Sequence, residues 1–88
     1  MLWLHAKGED QLSRGNIYAA RKFFEKAAEA GLPKSALALA GTYDPTELAK
    51  LKIIGLQPDR EAARKWYERA GELGAVEASD RLRRLAPQ

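Results

Sequence analysis

Two residues near the start of the chain have the types and spacing that metal chemistry uses. His5 and Glu9 stand four apart, so a helix places both on one face. A metal site needs further ligands, and the sequence has neither a second histidine nor a cysteine to supply them. Nucleophilic chemistry meets the same shortage: Ser13, Ser35 and Ser79 read as turn or helix residues, and the sole histidine lies in the first helix. The carboxylate pairs Glu25/Glu29 and Glu68/Glu72 share helix faces, but basic neighbours on a solvated surface argue against the raised pKa that acid–base catalysis needs. Neither a phosphate loop nor a dinucleotide fingerprint occurs. The expectation is a protein with no catalytic residue, no metal and no cofactor.

If the side chains carry no reaction, the elements beneath them must carry the function. Eighty-eight residues suffice for one domain, 1–88. A content of 45% apolar and 31% charged residues is that of a folded soluble protein. Alanine dominates the apolar set and β-branched residues are scarce, which favours helices packed through small side chains. No segment approaches the roughly 20 apolar residues of a membrane helix. Met1-Leu2-Trp3-Leu4-His5 has no basic leader, and the chain reads as a domain that a longer protein could contain.

Turn residues divide the sequence into helices. Ser13-Arg14-Gly15-Asn16 is a turn with Asn16 placed to cap, and Ile17 to Ala30 carries an apolar stripe at Ile17, Ala20, Phe23/Phe24, Ala27 and Ala28. Gly31-Leu32-Pro33 ends that helix and starts another, running to about Tyr43. Asp44-Pro45 opens a short piece over Leu48 to Ile54, and Asp59 caps a long helix from Arg60 to Leu73. A last helix spans Ala75 to Leu85 and stops at Pro87. Opposite charges four apart (Glu61/Lys65, Arg64/Glu68, Arg21/Glu25, Glu77/Arg81, Asp80/Arg84) are expected to support these helices from the solvent side.

The strongest feature is an internal repeat. Ala20-Arg21-Lys22-Phe23-Phe24-Glu25-Lys26-Ala27 returns 43 positions later as Ala63-Arg64-Lys65-Trp66-Tyr67-Glu68-Arg69-Ala70. The same offset carries Asn16 onto Asp59, Gly31 onto Gly74 and Leu39 onto Leu82. The cap, alanine, aromatic pair, alanine and glycine at these spacings resemble the second helix of Sel-like repeats. Gly55-Leu56-Gln57-Pro58-Asp59 resembles that family's entry loop, and Ser35, Leu39-Ala40 and Tyr43 resemble its first helix. Gly8, Ala20, Phe24, Ala27 and Pro33 are also similar to the parent tetratricopeptide (TPR) pattern.

The resemblance implies an all-α, right-handed superhelix of about two and a half helix-hairpin repeats. The units are roughly 2–31 and 34–74, with a final capping helix over 75–86 and an insertion from Asp44 to Ile54. It also implies a protein-interaction scaffold, in which the first helix of each unit lines a concave groove. Carried over by position, the partner-binding residues are His5 and Glu9, then Lys34, Leu37 and Gly41, then Glu77, Asp80 and Arg84. Ala38 stands where a carboxylate-clamping repeat would often place asparagine. The expected partner is a protein or peptide, with no small-molecule substrate and no membrane insertion.

Two competing functions follow from other residues. Trp3, Leu4, Leu82 and Leu85 lie near the ends and suit self-assembly into a homo-dimer. Arg60, Arg64, Arg81, Arg83 and Arg84 could line a phosphate surface in a chain of net charge +3, but the aromatics that would stack bases fall at packing positions, so nucleic acid is not the expected partner. The resemblance implies a bacterial protein, since repeats of this type are common in bacteria. A soluble domain without cysteine suits cytoplasm and periplasm equally.

Overall fold

Small residues at regular spacing dictate close helix packing, and the computed structural model, which describes residues 1–53 and 55–85, is built that way. The order is α1 (Leu2–Ser13), α2 (Ile17–Glu29), α3 (Pro33–Gly41), α4 (Pro45–Leu51), α5 (Arg60–Leu73) and α6 (Ala78–Leu85), with no strand among the described residues. Helix α1 packs along α2 and α3 along α5. Contacts from α2 to α3 and from α5 to α6 join these pairs into one row, and α4 stands outside it.

The repeated residues occupy matching places. Phe24 and Tyr67 are fully buried, while Phe23 and Trp66 beside them are half-buried. Ala20, Ala27, Ala63 and Ala70 are also fully buried, so backbones approach where a larger side chain would hold them apart. Trp66 touches all three apolar clusters of the core and joins α2, α3 and α5. In the first helices, Gly8 lies against Phe24 as Ala40 lies in the cluster of Tyr67. First helices are thus related by 32 positions and second helices by 43. The difference of eleven residues is the segment that opens at Asp44.

Helix ends follow the turn chemistry with one exception. Asp44 accepts from the Thr46 amide at 2.9 Å, and Asp59 from the Ala62 amide at 3.0 Å. Gly31 (φ 101°) and Gly74 (φ 112°) take the left-handed conformation just past α2 and α5. Asn16, expected as the cap of α2, makes no capping bond: its amide nitrogen donates to Gln11 Oε1 at 2.9 Å instead.

The bounds of two helices also shift. The short helix starts at Pro45 and ends at Leu51, and α6 starts at Ala78 rather than Ala75. The expected ends at Ile54 and at Ala86–Pro87 lie outside the described residues. The expected four-apart charge pairs give way to three-apart ones, as Arg64 pairs with Glu61, Arg69 with Glu72 and Arg83 with Asp80. The Arg21 side chain reaches across to the end of α3 instead, donating to Thr42 Oγ1 at 3.0 Å and to the Thr42 carbonyl at 2.6 Å. Its guanidinium lies 3.9 Å from the Tyr43 ring centroid. That arginine closes the C-terminus of α3, where carbonyls lack helical partners.

Candidate functional site

Seven of the eight expected partner-binding residues fall on α1, α3 and α6, and Glu77 lies in the turn just before α6; by offset, His5, Leu37 and Asp80 share one register, Glu9, Gly41 and Arg84 another, and Lys34 and Glu77 a third. Their environments differ sharply. Glu9, Lys34, Glu77, Asp80 and Arg84 are exposed. Leu37 is half-buried, packed against the two clusters around Ala36 and Ala40. Gly41 is buried, and a Cβ there would meet Glu47 Cγ at 3.7 Å and Arg81 Nη1 at 3.9 Å.

His5, expected at the surface or in the groove, retains only 7% exposure. Its ring lies 5.3 Å from that of Phe24, its Nδ1 is 2.7 Å from Ser35 Oγ, and its Nε2 is 3.4 Å from Glu9 Oε2. A proton on Nε2 serves both neighbours, facing the carboxylate while Nδ1 accepts from the serine hydroxyl. Serine, histidine and glutamate thus stand in the order of a hydrolytic relay. Ser35, however, has no exposed surface, so no substrate carbonyl can reach its oxygen. The relay instead bonds α1 to α3, tying one helix pair to the next.

Sequence reasoning missed a second polar cluster, built around the insertion. Tyr67 donates its hydroxyl to Asp44 Oδ2 at 2.6 Å while Asp44 Oδ1 caps α4. Arg81 on α6 approaches from the other side, 5.9 Å from the Tyr67 ring centroid and 3.9 Å from Glu47 Oε1. Burial pushes the Tyr67 pKa up, and the bond to Asp44 pushes it further. Burial opposes the charge of Arg81, but Tyr67 and the carboxylates of Glu47 and Asp44 more than offset it and raise its pKa. The only signal in the sequence was the substitution of Tyr67 for Phe24 across the repeat, a hydroxyl that must be satisfied if buried.

The basic residues that could have formed a phosphate surface are mostly engaged. Arg60 donates to the Leu85 carbonyl at 2.7 Å, and Arg64, Arg81 and Arg83 face carboxylates. Among the described residues no group of three acidic, histidine or cysteine side chains is arranged to hold a metal ion. Nor is any helix among them long and apolar enough to cross a membrane.

Paired antiparallel helices, repeated with matching aromatic seats, define an α-helical repeat protein. The Sel1 repeat family model matches residues 3–32 and 48–74, more than half of the chain, and the chain belongs to that family. The first match spans α1 and α2. The second begins inside α4 and runs through α5, leaving α3 outside, although it is α3 that packs along α5. The searches of curated proteins and of solved structures each returned no match. Sel1 repeats are non-catalytic and generally mediate protein–protein interaction.

Proposed function

We propose that this chain is a non-enzymatic scaffold that holds a segment of a partner protein along the face formed by α1, α3 and α6. The observation that supports this reading is the register shared by the three first helices, in which Glu9, Lys34, Asp80 and Arg84, with Glu77 just before α6, are exposed while Leu37 is half-buried. Leu37 is the apolar anchor. Lys34 and Arg84 face solvent and are available to partner carboxylates. His5 and Gly41 form the floor, giving shape rather than contact. The working unit is one domain of two helix pairs, with α6 as its end helix. The test is capture of partners by the whole chain, compared with Lys34→Glu and Arg84→Glu. Loss of a captured protein in either variant supports the groove; undiminished capture by both overturns it.

Self-assembly is the second reading, favoured by the exposure of Met1, Leu2 and Trp3 at 52%, 63% and 60%. The expected residues near the other end offer less. Leu82 is half-buried and Leu85 is buried, both packed around Ala63 and Tyr67. Sedimentation over a concentration series separates the readings: a tight dimer that Trp3→Ala dissolves supports assembly, and a monomer at all concentrations supports the groove.

A further inference from the structure

The insertion sits on the proposed groove. Glu47 of α4 covers Gly41, one of the floor positions, and reaches Arg81 on the next first helix. Leu48, beside it, retains only 8% exposure. At the turn where the first unit presents Glu9 to solvent, the second unit therefore presents a seat covered by the Glu47 side chain, with buried Leu48 next to it in α4.

The chemistry of the seat is specific. Gly41 leaves room for a side chain to lie flat, and Arg81 supplies a guanidinium only one-quarter exposed, where a charge pair is less screened than on an open surface. We propose that this seat recognises an acidic–apolar helical turn of the partner, and that α4 occupies it in cis as a built-in competitor. The proposal rests on the groove reading given above.

Its holding strength is limited. Helix α4 has seven residues, too few to persist without its contacts, and is the helix least packed against the others. Its far end turns through Lys52 at φ 56°, a left-handed conformation costly for a residue with a Cβ. The anchors are the Asp44 bonds, the Glu47–Arg81 pair and buried Leu48. A tethered segment of this kind competes at an effective concentration of order millimolar. A partner reads the free seat only in the fraction of molecules where α4 has left it, so its apparent affinity falls by that fraction.

The test uses the whole chain and a fluorescent peptide copying residues 44–52, so it needs no natural partner. Glu47→Lys with Leu48→Ala removes the competitor while leaving Gly41, Tyr67 and Arg81 intact. The peptide is expected to bind this variant roughly tenfold or more tighter than the parent, since vacating the seat raises the competent fraction. Adding Arg81→Glu is expected to abolish that gain. Equal peptide affinity for parent and variant, or a gain that persists with Arg81→Glu, overturns the proposal. Circular dichroism confirms that each variant is folded; if the double variant is not, Glu47→Gln alone takes its place with the same outcomes. A failed partner capture alongside a successful peptide exchange would remove the groove reading and leave the seat standing.

Discussion

Phe24 in the first helix pair and Tyr67 in the second hold equivalent seats, yet their surroundings solve different problems. Phe24 is pressed against Gly8, where an added Cβ would come within 2.5 Å of its ring. Tyr67 lies in the cluster of Ala40, whose methyl is tolerated, and its hydroxyl points to Asp44. The first pair is closed by shape, with His5 beside the Phe24 ring turning its nitrogens to Glu9 and to Ser35 of the next pair. The second is closed by a hydrogen bond that also fixes where the inserted helix begins. One oxygen marks the place at which a repeat has been opened and a new element attached.

Breaking the aromatic seats should have the largest effect. Phe24→Ala is expected to cost about 3–5 kcal/mol, as truncation of a fully buried phenyl ring usually does. Urea unfolding measures it. Gly8→Ala sharpens the comparison, because alanine is the better helix former by about 1 kcal/mol and should stabilise an open helix. Against Phe24 the clash outweighs that gain, and a net loss of about 1–3 kcal/mol is expected. The reciprocal change, Ala40→Gly, should cost only about 1 kcal/mol.

Tyr67→Phe makes the second pair resemble the first. Its expected cost is about 1–3 kcal/mol, because Asp44 stays buried and loses one donor. The tyrosine also predicts a pH dependence. Its folded pKa is raised above the unfolded value of about 10, so its contribution is complete below that pH and is lost as pH rises through the folded value. Alkaline denaturation series should show stability falling above about pH 10, and the Tyr67→Phe protein should lack that component. The smallest effect concerns Lys52, where glycine should stabilise the end of α4 by about 0.5–1 kcal/mol, read as a shift in thermal midpoint.

The repeat made the fold legible. Alanines and aromatics recur because each seat is filled from one local helix face, so periodicity reports it directly. Asp44 and Asp59 were legible as caps because capping is local. Asn16 was not, since its side chain had a better partner in Gln11 across the turn. Arg64, Arg69 and Arg83 pair three apart rather than four, a choice among rotamers that spacing alone leaves open. His5–Ser35 and Asp44–Tyr67 join residues 30 and 23 positions apart. Such bonds have no period, so the eight groove positions could be placed on one face without revealing that His5 is buried or that Glu47 covers Gly41.

Hydrogen exchange on the Tyr67→Phe protein tests most directly whether that hydroxyl secures the insertion. The amides of α4, Thr46 to Leu51, should lose protection while those of α1 and α2 keep theirs. If α4 stays as protected as before, or if the first helix pair loosens equally, the two seats do not divide the work in this way and the cis-occupied groove loses its anchor.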